Sequence, residues 1–300
     1  MANLKEVKNR ISSVTSTQQI TSAMKMVAAA KLKRAQDKIT QMRPYSQKLT
    51  GLLQNVSAGM DDNAENIYGQ EREVNNVLLV VISSDRGLCG AFNNNVFKAT
   101  VALIKEKYAD VEQDGGLHIL PLGKKSFEYF SKRDYQVIDK YYGLFSNLSF
   151  EEAKGTAEEV MKSFVDGKYD RVELVYNEFK NVATQVLQVE QFLPVATLEQ
   201  PEEETTTFSF TTQEYIYQPS KEFMLEELVP KSLKVQFYKA ALESNASEHG
   251  ARMTAMDQAT DNAGEMLKAL KLAYNRTRQA AITKEILEIV GGAEALASDG

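Results

Sequence analysis

A loop that contains two glycines is the first segment of this chain whose residues and position could form a ligand-binding site. It runs from Ser84 to Asn93 (SDRGLCGAFN) and follows Val77 to Ser83, an apolar stretch typical of a strand buried on both faces. Many α/β proteins bind phosphates where a helix begins after such a strand. Gly87 and Gly90 lack the third glycine of the dinucleotide-binding fingerprint, so a turn that needs glycine is the simpler interpretation.

A second short motif, Gly123-Lys124-Lys125-Ser126, resembles a P-loop at first sight because it follows a predicted strand and opens a helix. The P-loop needs a glycine five residues before its second glycine, and that position is His118. It also needs serine or threonine directly after its lysine, where this chain has Lys125. The spacing therefore excludes a P-loop.

The chain contains few cysteines and histidines that could act as nucleophiles or zinc ligands. Cys89, near Arg86, is the only cysteine, and the two histidines are His118 in a predicted strand and His249 in a predicted helix. A Cys/His nucleophile and a zinc site both need more such residues close together. No pair of carboxylates is singled out by its spacing. On residue chemistry alone we expect no catalytic site, no cofactor and no metal.

The middle of the chain alternates between strand and helix patterns, which predicts a parallel-based, Rossmann-like sheet in an α/β domain over residues 74–200. Ser149 with Glu152 forms a capping box at the start of one helix. A polar loop with one or two short strands is expected to connect onward over 201–220. The strand patterns cover 77–83, 117–122, 135–138, 172–176 and 184–189, and the helix patterns cover 94–108, a short stretch through Phe127 and Phe130, and 149–165.

Both ends of the chain show the heptad spacing of very long helices, over 1–58 and 221–300. We expect the two to pair as an antiparallel coiled coil that carries the α/β domain as an insert. Pro44 is expected to remove one ladder hydrogen bond, and Gly250 weakens the last helix. The seam positions are Leu4, Val7, Ile11, Val14, Gln18, Thr21, Lys25, Ala28, Leu32, Ala35, Ile39 and Met42 in the first helix, and His249, Met253, Met256, Thr260, Ala263, Leu267, Leu270, Tyr274, Thr277 and Ala281 in the last.

The seam is more polar than an ordinary coiled coil, since Gln18, Thr21 and Lys25 occupy positions that usually hold apolar side chains. One interpretation is simply a weak helix pair. The other is that further surfaces share the packing, because Ile20, Met24 and Val27 form a second apolar strip on another face.

Charge is distributed unevenly along the chain. The net charge is −6, but residues 1–43 hold nine lysines and arginines against Glu6 and Asp37, so the remainder carries −13. A basic first helix predicts an acidic partner. Nucleic acid is less favoured, because no base-reading module follows. One cysteine fits a reducing compartment. No apolar stretch reaches 18 residues and the start lacks a signal-peptide pattern, so a soluble or peripheral protein is expected.

Three stretches resemble the gamma subunits of F-type ATP synthases. They are Ser16–Lys31 (STQQITSAMKMVAAAK), Ser83–Asn93 (SSDRGLCGAFN) and Glu243–Ala295, which begins ESNASEHGARM. The resemblance follows the same order along essentially the whole chain. Gly250 is a departure, because the family commonly has a small residue other than glycine there.

The resemblance implies a rotor shaft without a catalytic site of its own. It implies one copy per complex, partnered by a hexamer of alpha and beta subunits, the epsilon subunit and a membrane c-ring, at the cytoplasmic face of a bacterial inner membrane, with nucleotide bound by alpha and beta only. By matching motif positions, Met24, Arg252, Arg278, Gln279 and Thr283 resemble contacts to beta-subunit loops. The residues that resemble a bearing tip are Ile286, Leu287, Ile289, Val290 and Leu296.

Two other hypotheses remain beside the rotor shaft. One is a free-standing nucleotide-dependent α/β enzyme with helical arms, against which the loop chemistry counts. The other is a passive coiled-coil scaffold, which should have a dry seam and a self-associating surface. The polar seam and the uneven charge count against that scaffold.

Overall fold

The computed structural model describes residues 4–57, 67–195 and 221–298. The predicted connecting loop at 201–220 and its short strands lie outside the described residues, as does the side chain of Leu296. The described chain divides into two compact units. One joins Met1–Ala28 with Arg252–Gly300, and the other is Ala29–Ala251.

Two long helices form the ends of the described chain. Helix α1 is Leu4–Ser57 and helix α6 is Lys221–Ser298. At 1.5 Å rise per residue, 54 and 78 residues make helices about 80 Å and about 115 Å long. Pro44 and Pro230 lie inside these helices without ending them, although each proline lacks one ladder N–H.

A five-stranded sheet is built from β1 (Val77–Ile82), β2 (Leu117–Leu122), β3 (Gln136–Val137), β4 (Arg171–Phe179) and β5 (Gln185–Leu193). The strand order is β3-β2-β1-β4-β5. The first four strands pair in parallel, and β5 pairs antiparallel with β4 at the edge. A parallel-based sheet inserted between two long terminal helices is the predicted fold, and the prediction is confirmed.

Four helices lie between the strands: α2 (Phe92–Lys107), α3 (Ala109–Gln113), α4 (Lys124–Ser131) and α5 (Phe150–Val165), with a 3₁₀ turn at Leu144–Asn147. The predicted cap of α5 is present, because the Ser149 hydroxyl accepts a hydrogen bond from the Glu152 N–H at 3.3 Å. The sequence did not reveal α3, whose five residues are too few to show a helical period.

Both faces of the sheet are covered. Along β1, Leu78, Val80 and Ile82 belong to a core that includes α5 and the first part of α6. The alternate residues Val77 and Leu79 belong to a second core with α2 and α4. A central strand buried on both faces has no polar side, which is why it is a continuous apolar stretch in the sequence.

Candidate functional site

The two terminal helices pair in opposite directions within the first unit. Thr21 Oγ1 lies 2.7 Å from Thr260 Oγ1, and Lys25 forms an ion pair with Asp257. A Cβ built on Gly264 would lie 3.2 Å from Gln18 Nε2. Residue numbers rise along one helix as they fall along the other, as an antiparallel pair requires. The polar seam positions found in the sequence are therefore matched across the helix pair.

Each contact in this polar seam is weak. Two hydroxyl protons serve three contacts here, because Thr21 can also donate to the Gln18 carbonyl and Thr260 to the Met256 carbonyl of its own helix. The side chains of Lys25 and Asp257 are 41% and 49% exposed, and ion pairs at such sites contribute only about 0–1 kcal/mol. These residues therefore make the pairing of the two helices specific but contribute little to its free energy.

The heptad spacing located most of this seam, but Ala281, which it also assigned to the seam, is exposed beyond the paired part. In α1, Val7, Thr21 and Ala28 are buried, as are Met256 and Leu267 in α6. The sequence expectation weighed Gly250 and overlooked Gly264, the glycine that faces Gln18. It also missed Asp257, because a partner at a remote position is not visible in the period of a single helix.

The second apolar strip of α1 lies on another face of the helix. Ile20 and Val27 are exposed and Met24 is half-buried. Met26, which the sequence analysis did not select, is exposed beside them. Apolar side chains grouped in this way on a protein surface are typical of a partner interface.

The last part of α6 extends past the start of α1. Continuing the pairing one residue at a time brings Leu4, the first residue of α1, close to Thr277. Thr277 is half-buried, and every side chain from Arg278 to Ala293 is exposed. This segment is a single helix with no covering neighbour among the described residues.

Apolar residues form a stripe along this uncovered helix at Ile282, Ile286, Ile289 and Val290, and Leu287 lies next to it. Ile289 is 69% exposed. Within a soluble helix such a stripe normally faces a core. Four of the predicted bearing-tip residues thus lie together on one exposed helix end; they are Ile286, Leu287, Ile289 and Val290.

The residues with expected beta-loop contacts lie at two levels of the helix pair. Met24 and Arg252 are half-buried in the paired part. Arg278, Gln279 and Thr283 are exposed on the uncovered part, where the Thr283 hydroxyl bonds to the Gln279 carbonyl at 2.9 Å. The structure therefore does not bring all five together.

The loop after β1 uses its own polar groups to hold its shape. The Asn93 side chain is buried, accepts a hydrogen bond from the Ser84 N–H at 3.0 Å and donates to Cys89 Sγ at 3.3 Å. Leu88 has a φ of 63° and is 65% exposed, an uncommon conformation for a bulky side chain. Serine, cysteine and asparagine side chains fill the loop interior and hold the loop in the shape of the predicted turn.

Gly123, which gave the P-loop appearance, has a packing role. Its φ is 114°, and a Cβ there would lie 2.2 Å from the carbonyl oxygen of Ser83. Ser126 follows at the start of α4 and donates its N–H to Ser83 Oγ at 2.8 Å. The glycine and serine thus join the ends of β1 and β2 to α4.

A buried carboxylate in β4 was not found from the sequence. Glu173 accepts a hydrogen bond from the Tyr108 hydroxyl at 2.5 Å and forms an ion pair with Lys107. Its second oxygen, Oε2, and the Arg171 Nε are buried without a hydrogen-bond partner. Burial first, and then the Glu173 carboxylate, raise the pKa of Tyr108. This cluster fixes the end of α2 on the sheet.

Across residues 4–57, 67–195 and 221–298, histidine, cysteine and acidic side chains do not gather in threes as metal ligands would. The helices of these same ranges include none with the length and apolar character needed to cross a membrane.

Known proteins match this chain along nearly its whole length. A family model described as ATP synthase matches residues 3–296. The ATP synthase gamma chain of Cytophaga hutchinsonii is 60% identical over 296 residues, with 99% of each chain covered. That of Flavobacterium johnsoniae is 54% identical over 299 residues, again with 99% of each chain covered.

Solved structures give the same fold. A chain of the central stalk and c-ring of the Tetrahymena thermophila mitochondrial ATP synthase matches with a TM-score of 0.55 and 27% identity, covering 80% of this chain and 99% of that one. A chain of the Euglena gracilis mitochondrial ATP synthase rotor matches with a TM-score of 0.61 at 21% identity, covering 93% and 98%. The second likeness concerns the fold alone.

Proposed function

Because this chain belongs to the ATP synthase gamma-chain family, we propose that it is the central rotor shaft of an F-type ATP synthase. It transmits torque between a proton-driven membrane ring and three catalytic sites on beta subunits, during ATP synthesis or hydrolysis. The observation that carries the proposal is the match to curated gamma chains over 99% of both lengths.

The helix pair suits a shaft because it is long and has few interruptions. Over 78 residues, α6 continues through Pro230, Gly250 and Gly264. A rotor must also turn within its sleeve, so strong contacts that hold one orientation would oppose rotation. Exposed ion pairs contribute about 0–1 kcal/mol each, which allows a rotor to leave one position for the next.

The uncovered end of α6 is the part that most needs a partner. A single helix of this length with an apolar stripe exposed is marginal in water. We propose that it is the bearing tip, seated by Ile286, Leu287, Ile289, Val290 and Leu296 in an apolar collar of the alpha–beta hexamer.

The proposed contacts to the beta-subunit loops involve Met24, Arg252, Arg278, Gln279 and Thr283. Arg278 and Gln279 are exposed and polar, and Met24 continues the exposed strip of Ile20 and Val27. Such residues offer charge-assisted hydrogen bonds and small apolar contacts that can form and break in turn.

The chain is a component of a proton-transporting ATP synthase, and we propose that it contributes no catalytic site of its own. In the loop after β1, Ser84 and Asn93 bond to each other, which leaves these polar side chains occupied within the loop and supports the absence of a nucleotide site there. The proposed partners are alpha, beta and epsilon subunits and a membrane c-ring, with one copy of this chain per complex. The proposed location is the cytoplasmic face of a bacterial inner membrane, as a peripheral protein.

Reconstitution tests this function directly. The purified chain alone should hydrolyse no ATP and should bind none tightly in a calorimetric titration. With alpha and beta subunits it should form a complex with one copy per hexamer, and a bead attached to it should rotate during hydrolysis. Three copies per hexamer, or hydrolysis by the chain alone, would rule out the proposal.

A further inference from the structure

The turn between β4 and β5 lies against the middle of α6. This contact belongs entirely to the second unit, Ala29–Ala251. Phe179 and Val182, at the two sides of the turn, pack on a small core formed by α1 and α6. The buried members of that core are Leu32, Ala35, Ile39, Leu242 and Ala246.

The turn itself has a defined shape. The Asn181 side-chain oxygen accepts hydrogen bonds from the N–H groups of Ala183, at 3.0 Å, and Thr184, at 2.7 Å. The Asn181 N–H also donates to the Thr184 carbonyl at 3.2 Å. A turn held by its own side chain can be displaced as one piece without losing these bonds.

Gly250 leaves the space into which this turn fits. A Cβ built on Gly250 would lie 3.3 Å from Phe179 Cε2 and 3.5 Å from the Val182 carbonyl oxygen. A methyl group would therefore be tight, and a longer side chain would have to displace the ring or the main chain of the turn. Glycine in the interior of a helix costs about 1 kcal/mol relative to alanine, so its presence here calls for a reason of this kind.

Glu243 makes the polar contact of the same interface. It lies seven residues before Gly250, two helical turns along the same face of α6. Its side chain accepts a hydrogen bond from the Phe179 N–H at 3.1 Å, and the residue is only 3% exposed. The carboxylate thus satisfies a main-chain donor of β4 where the strand meets the helix.

We propose that the β4–β5 turn, Phe179–Thr184, is a clamp that closes on α6 at the space left by Gly250 and fixes the free edge of the sheet to that helix. Gly250 permits closure, Glu243 supplies the polar contact, and Phe179 with Val182 supplies the apolar one. The size of the side chain at position 250 determines whether the clamp can close. The inference concerns the chain by itself and does not depend on the proposed rotor function.

Hydrogen exchange of the full chain, read peptide by peptide, tests the clamp. Gly250→Leu should raise exchange about tenfold or more in a peptide covering 179–193, as expected for a local opening. Exchange in the central strand β1 should not change. Gly291→Leu is the matched control, because it makes the same change in the same helix where a Cβ meets no atom within 4 Å.

A second variant separates the contact from a general loss of stability. Phe179→Ala removes the nearest group that a side chain at position 250 would strike, so the double variant should open the turn by less than the sum of the two single effects. Additive effects of the two changes would contradict the clamp. Unchanged exchange in 179–193, or an equal rise in β1, would also contradict it.

Discussion

At the scale of single residues, the polar contacts of the seam in the first unit specify which residues of α1 and α6 pair, and they add little to the strength of the pairing. Thr21 and Thr260 place their hydroxyls 2.7 Å apart, and each hydroxyl has a second partner on its own helix. Removing one hydroxyl therefore does not leave the other without a hydrogen bond. The seam should tolerate apolar replacement better than a buried polar pair usually does.

We expect Thr21→Val to lower the free energy of unfolding by about 1 kcal/mol or less. The double variant Thr21→Val/Thr260→Val should recover part of that loss, because two apolar groups of similar shape then meet. Urea unfolding of the wild type, both single variants and the double variant measures the coupling. A double variant that loses the full sum of the single effects would contradict this account of the seam.

Glu243 is a buried residue whose charge should make stability depend on pH. Burial raises its pKa, against the opposing effects of the Phe179 N–H and then of Arg43; Glu178 adds to the rise and Lys239 opposes it. A raised carboxyl pKa contributes stability that is fully present below the unfolded-state pKa and is lost as pH rises through the folded-state pKa. Ionising Glu243 therefore weakens the folded state.

We expect Glu243→Gln to gain stability relative to the wild type as pH rises through the folded-state pKa of Glu243. The amide oxygen of glutamine can still accept the Phe179 N–H, so the substitution removes the charge and keeps the contact. Denaturant unfolding at a series of pH values measures the difference. Glu243→Ala serves as the control, because it leaves the Phe179 N–H without its acceptor and should be destabilised throughout. A constant difference between Gln and wild type would contradict the linkage.

At the scale of elements, the uncovered end of α6 should contribute to assembly and not to the stability of the free chain. Ile286 and Ile289 are 54% and 69% exposed, so replacing them removes little contact within the described chain. We expect Ile286→Ser and Ile289→Ser each to change the free energy of unfolding by less than about 0.5 kcal/mol. In a complex with alpha and beta subunits each should speed dissociation, since burying such a side chain contributes about 1.5–3 kcal/mol.

Glu285→Ser is a suitable control for that experiment, because it introduces the same residue at an exposed polar position of the same helical turn. Dissociation of the reconstituted complex after dilution is the measurement. Equal rates for the isoleucine variants and the control would argue against a seated tip.

The helices and strands were largely predictable, because the spacing of apolar residues that identifies each one lies within its own stretch of sequence. Seam residues such as Val7, Ala28 and Leu267 follow from heptad spacing, and β1 follows from an apolar stretch. The pairing of Lys25 with Asp257 was not predictable, because the register between two remote segments is not contained in the period of either. The burial of Glu173 was also missed, because a lone carboxylate in a strand pattern is normally exposed.

At the scale of the whole molecule, the charged residues are distributed unevenly along the chain. Residues 1–43 carry nine basic residues against two acidic ones, whereas the chain as a whole has a net charge of −6. Lys31 and Arg34 are among the exposed basic residues of α1. A basic helix on an acidic molecule orients its approach to an acidic partner, and such steering weakens as salt shortens the range of the field.

We therefore expect the rate of association with the alpha–beta hexamer to fall roughly tenfold or more between low and high salt. Neutralising the basic face with Lys31→Gln/Arg34→Gln should flatten that dependence while leaving the dissociation rate nearly unchanged, because exposed charges act mainly on the encounter. Lys98→Gln/Lys105→Gln removes the same charge from exposed positions of α2 and is the matched control. Stopped-flow association at a series of salt concentrations measures both slopes. If the α2 variant flattened the slope as much as the α1 variant, net charge rather than the basic helix would govern the encounter.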